Sequence, residues 1–210
     1  MLPLDKVIFL LFFPACVGLL TQVIWGIELT NQLVASGTFI FCIEQARMAV
    51  KDLRQIEDAK ALVQDVRLDT FYQVTLITIA VELLGFYISI VWLGWGSIVI
   101  LLSQIWFNLL ASVKIQYPNQ VAENILKVDN YNFSNTSALT LSAPVLLNAV
   151  PIYVRYWKIS ERLPVLIADI LGLVLISFWM LQIGSLFISW ALFAMVIVYG
   201  IAKLILLLSR

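Results

Sequence analysis

The sequence predicts an all-α integral membrane protein with about six transmembrane helices arranged as three hairpins. Three observations carry this reading. Hydrophobic residues make up 62% of the 210-residue chain and charged residues only 12%, against about 25% charged in an average soluble domain. Apolar runs long enough to cross a bilayer, which takes roughly 20 residues, recur along the chain. The cations gather in two long connections, while the tight connections between apolar runs have none.

The runs at 7–27, 71–93, 163–184 and 186–208 meet the length requirement in full, and 97–113 meets it at the short end. The first is longer than the apolar core of a signal peptide, and Trp25 and Glu28 stand where a small-residue cleavage site would. It is read as a retained span. The second span, 29–50, is apolar from 33 to 43 and turns charged at Glu44, so it is expected to run on as a helix in water over 44–69. There Ile43, Ala46, Val50, Leu53, Ile56, Ala59, Val63 and Val66 recur at steps of three or four, the period of a helix with one apolar face. The other face sets Glu44 with Arg47, Arg54 with Asp58 and Glu57 with Lys60 at helical spacing. Five cations against six anions argue against adhesion to anionic lipid and for packing on protein, either a partner or the chain's own loops.

The second long connection, 114–162, contains a polar run over 129–137 and then an apolar stretch at 138–154. Pro144, Asn148 and Pro151 interrupt that stretch, which reads as re-entrant, interfacial or a seventh span. The whole chain, 1–210, is expected to form one membrane domain.

Orientation follows from the cations, because Lys and Arg near span ends mark the cytoplasmic side. Arg47, Lys51, Arg54, Lys60 and Arg67 lie in one connection, and Lys114, Lys127, Arg155, Lys158 and Arg162 in the next. Trp25, Trp92, Trp95, Trp179 and Trp190 flank the short, cation-free turns, as an aromatic belt does. Both termini are therefore expected to be cytoplasmic.

Composition also removes function classes. Thirteen basic and thirteen acidic residues cancel, so no net field draws nucleic acid. The chain has no histidine, which removes His-ligated haem, the common zinc sites and the His general base. No glycine-rich loop leads into a helix with Lys-Ser or Lys-Thr, so nucleotide binding is not expected. No cofactor or metal set is expected. Cys16 and Cys42 fall thirteen residues on either side of Leu29 and are read as small apolar filler within one hairpin.

The candidate site is a group of intramembrane polar residues, which are costly in hydrocarbon and thus functional candidates. Folding the second hairpin about Trp95 puts Glu82 and Asn108 at one depth, with Gln104 a turn away; the amides are the donors a buried carboxyl needs. Folding the last hairpin about Gly184 and Ser185 puts Asp169 and Lys203 level near the membrane edge, as an interhelical ion pair. The leading functional expectation is a non-catalytic membrane subunit or scaffold that docks partners through 44–69 and 114–162. The alternative is a small proton- or cation-coupled transporter or channel using Glu82. An enzyme would need Glu123, Asp129, Arg155 and Glu161 to converge, which their spacing does not require. The expected partners are the bilayer and other membrane subunits or a second copy, with no nucleic acid or nucleotide.

Overall fold

A computed structural model of the chain describes residues 4–116 and 152–208. Six helices account for most of them: α1 Leu4–Trp25, α2 Leu29–Leu62, α3 Val66–Val91, α4 Leu93–Leu110, α5 Ile159–Met180 and α6 Ser185–Leu208. All six are long and apolar enough to cross a membrane, which makes this an all-α membrane protein. Two short strands, β1 Val113–Gln116 and β2 Tyr153–Tyr156, pair antiparallel between α4 and α5. The expected stretch at 138–154 lies outside the described residues except for its end, which enters β2.

Consecutive helices pack as hairpins, α1 on α2, α3 on α4 and α5 on α6. Further contacts of α1 with α3, α4 with α5, and α2 with α6 close the three hairpins into a ring. Side chains from both ends of the chain meet within it: Phe12 and Leu19 of α1, Ala35 and Cys42 of α2, Phe86 of α3, Ile100 of α4 and Ile176 of α5 belong to one buried cluster. Tertiary packing of this kind, rather than helix propensity, holds membrane helices together.

The turns are short because small residues let the helices approach. Only Trp92 separates α3 from α4. A side chain on Gly96 would collide with Ser89 and with the Gly85 carbonyl, and one on Gly85 would stand 2.7 Å from Ile100 Cγ1. The bare backbones at 85 and 96 are what allow the reversal. Between α5 and α6, Gln182 and Gly184 take left-handed backbone conformations, with φ of 58° and 60°. At the first hairpin Gln32 Nε2 donates to the Gly26 carbonyl at 2.8 Å, supplying a partner to a group left over at a helix end.

One expectation needs correction. The helix predicted to run unbroken to 69 stops at Leu62 and restarts at Val66. Val63 and Asp65 are both extended there, and the Asp65 carboxylate accepts the Arg67 backbone N–H at 2.9 Å as an N-cap. No glycine or proline marks this break, so apolar periodicity runs through it. Of the two coverings left open for the charged half of α2, a partner or its own chain, the chain itself supplies one. Ile56 and Ala59 pack with Leu68 and Phe71 of α3, Val113 of β1 and Ile152. Lys60 reaches Asp69 on α3 at 2.6 Å and lies 4.9 Å over the Tyr72 ring, instead of serving only as a partner for Glu57. The expected Glu44–Arg47 pair is present at 2.8 Å.

The two-stranded ribbon is absent from the sequence expectation. Its alternation is short but real: Val113, Ile115 and Val154 turn toward the cluster under α2, while Lys114 and Arg155 stand opposite each other outside. Like charges directly across a ribbon repel, and Glu161 on the first turn of α5 compensates. Its carboxylate takes Lys114 Nζ at 3.1 Å and Arg155 Nη2 at 2.9 Å.

Candidate functional site

The intramembrane polar residues gather on α4, which acts as a spine between two buried carboxyls. Glu82 of α3 is 2% exposed and accepts a hydrogen bond from Gln104 Nε2. One turn further along α4, Asn108 Nδ2 donates to Asp169 Oδ2 of α5 at 2.9 Å. The sequence expectation joined Glu82 to Asn108 with Gln104 in support; in the structure Gln104 holds Glu82, and Asn108 turns to Asp169. The reason is rotational. Residues four apart lie on one stripe of a helix but about 40° out of register, enough to aim one amide at α3 and the next at α5.

Asp169 sits near the middle of α5, because that helix begins at Ile159, four residues before the predicted 163. About ten residues, or roughly 15 Å of helix, separate it from the α5 start. The Lys203 side chain, its expected ion-pair partner, lies outside the described residues; Lys203 itself is on α6. Glu82 is similarly about nine residues from the end of α3. Both carboxyls thus lie well inside helices long and apolar enough to cross a membrane.

Arg162 reads from the sequence as an ordinary loop cation, and the structure gives it a larger part. It is 4% exposed, donates through Nη1 to the Asn108 carbonyl and through Nη2 to the Trp157 carbonyl at 3.1 Å, and lies 5.3 Å over the Trp157 ring. Asn108 is therefore gripped twice by α5, at its backbone by Arg162 and at its side chain by Asp169. A cation in the first turn of a helix opposes the macrodipole, and that misfit was the available signal that some other contact holds it.

Residues of α2, α4, α5 and α6 line a partly open cavity of about 520 Å³. Its wall is largely apolar, with Val34, Ile176, Leu192 and Val196 among the lining residues. The polar exceptions include Thr38, Ser97, Gln104, Asp169 and Tyr199. Thr38 and Ser97 spend their hydroxyl protons on helix carbonyls one turn back, at 2.9 and 2.8 Å. Gln104 and Asp169 carry the polar spine to the cavity surface. An apolar hollow with a few convergent polar groups is the usual form of a ligand site.

Cys16 and Cys42 are brought together as the hairpin geometry predicted, with Sγ atoms 3.2 Å apart. Of the residues an enzyme would have needed, Arg155 and Glu161 pair with each other, and Glu123 and Asp129 lie outside the described residues. No family model, curated protein or solved structure matches the chain.

Proposed function

We propose that this chain is a small proton-coupled membrane transporter whose moving proton resides on the carboxyls flanking α4. The observation that carries the reading is the pairing of Gln104 with Glu82 and of Asn108 with Asp169 on one helix beside the cavity. Ionisable groups at this depth are expensive, and a purely structural bridge would be served by one amide pair without a second carboxyl facing a hollow. The cation distribution supports a cytoplasmic side that holds both termini and the β1–β2 ribbon.

The test is proton movement in proteoliposomes under an imposed gradient of an organic cation. The parent protein is expected to carry a proton flux against that gradient that Glu82→Gln and Asp169→Asn each reduce at least tenfold, with both variants folded by thermal melting. Equal fluxes in parent, variants and empty vesicles would refute it.

A second reading, that the chain is a docking subunit or scaffold, is favoured by one feature. Arg47, Lys51, Glu57 and Asp58 stand exposed along the outer face of α2, whose inner face is already occupied by the chain itself. A partner would have to read this mixed-charge face. Reversing Lys51 and Asp58 together should release a partner from the natively purified complex if this reading holds, and leave the complex intact if it does not.

A further inference from the structure

We infer that the cavity between α2, α4, α5 and α6 takes a lipophilic organic cation, which replaces a proton on Asp169. This rests on the transport reading and adds to it the class of substrate. The reasons begin with size and surface. A hollow of about 520 Å³ falls in the range of about 300–1,000 Å³ that holds drug-sized molecules. Its walls are aliphatic and aromatic, with Phe41, Phe193 and Tyr199 among the lining residues.

Charge then selects the ligand. The carboxyl of Asp169 is the acidic group among the described lining residues, and no Lys or Arg is among them. An anion would find no counter-charge among the described lining residues. A small metal cation would need about six oxygen ligands, and the walls supply mostly carbon. An organic cation meets neither objection: its apolar body is accommodated by the walls, its charge by Asp169, and aromatic faces attract cations within about 6 Å.

The geometry leaves room for that contact. Asp169 Oδ2 accepts from Asn108, and Oδ1 has no partner among the described residues. The charged and titratable groups around it are few. Arg162, two turns earlier on α5, is committed to the Asn108 and Trp157 carbonyls. Glu82 lies beyond Gln104 on the far side of α4, and Tyr199 faces the cavity from α6. The Lys203 side chain lies outside the described residues.

A cation entering such a site without compensation would leave a net charge in hydrocarbon, which is costly. Exchange avoids the cost. The Asp169 O–H bond breaks, its electron pair stays on the carboxylate, the proton departs to water and the organic cation takes its place. The net charge of the cavity is the same before and after.

The experiment uses the full chain in lipid nanodiscs, with tetraphenylphosphonium and tetraphenylborate as probes of equal shape and opposite charge. Equilibrium dialysis is expected to give binding of the phosphonium at least tenfold tighter than of the borate. Asp169→Asn should remove that preference. Ala168→Phe narrows the cavity from α5 while sparing the carboxyl, and should weaken the phosphonium at least tenfold, so a misfolded Asp169 variant does not decide the matter alone. Equal binding of the two probes, a borate preference, or a phosphonium affinity unchanged in both variants would overturn the proposal. Phosphonium binding without any cation-driven proton flux would sink the transport reading and leave the cation site standing; an Asp169-dependent proton flux without phosphonium binding would do the reverse.

Discussion

The Asn108 side chain donates to Asp169 at 2.9 Å across the α4–α5 interface, and both residues are buried. This contact ties the second hairpin to the third between the helices themselves, beyond the β1–β2 ribbon that joins α4 to α5. A double-mutant cycle of Asn108→Ala and Asp169→Ala, followed by thermal unfolding in detergent, should give a coupling of about 0.6–1.7 kcal/mol, the range for side-chain hydrogen bonds between membrane helices. Additive effects would mean that the two side chains do not meet.

The α3–α4 turn depends on glycine. Because a Cβ at Gly96 would run into Ser89 and the Gly85 carbonyl, Gly96→Ala should destabilise by about 1–3 kcal/mol, as overpacking does. A Cβ at Gly200 on α6 would meet nothing within 4 Å, so Gly200→Ala is expected to be neutral or stabilising by up to about 1 kcal/mol from helix propensity. Melting temperatures of the two variants in one detergent would decide it, and similar losses in both would contradict the packing.

Cys16 and Cys42 face each other at 3.2 Å, close enough that removal of two hydrogens can join them without rearranging α1 and α2. Mild treatment with copper phenanthroline should therefore cross-link them within a chain. Intact mass measured after maleimide labelling should show neither thiol labelled, whereas labelling of both after full oxidant exposure would place α1 and α2 in a different register.

Asp65 gives a pH signature outside the spans. The Arg67 side chain, hydrogen-bonded at 2.6 Å, holds the Asp65 carboxyl below its ordinary range, with the Arg67 backbone N–H adding to the effect. A carboxyl whose folded-state value is depressed contributes stability above its unfolded value, about 3.9, and loses it as pH falls through the lower folded value. Asp65→Asn keeps the N-cap acceptor and removes the charge. The gap in melting temperature between parent and variant should be constant at neutral pH and shrink as the solution is acidified below about pH 4. A gap that widens on acidification would rule the ion pair out as its source.

Much of this architecture is legible from the sequence because hydrocarbon imposes a length rule that few other environments match. Six apolar runs and three short turns can be read directly, and equal spacing about Leu29 correctly brings Cys16 to Cys42. Boundaries are less legible. The break at Val63 and Asp65 carries no glycine or proline, so the periodicity of α2 and α3 merges into one predicted helix. The ribbon at Val113 and Tyr153 is too short for alternation to outweigh neighbouring helical signals. Equal depth is also a weaker constraint than rotation: it puts Asn108 near Glu82, but the face of α4 on which each amide lies gives Gln104 to Glu82 and Asn108 to Asp169. Arg162 escapes notice because its partners are backbone carbonyls of Asn108 and Trp157, which leave no side-chain pattern to read.

The central claim, that an intramembrane carboxyl beside the cavity trades a proton for a cation, is tested most directly by counting protons. Tetraphenylphosphonium added to the protein in weakly buffered nanodiscs should release about one proton per cation bound, by linkage between the two, and Asp169→Asn should release none. Binding of the cation to the parent protein with no change in solution pH would contradict the account.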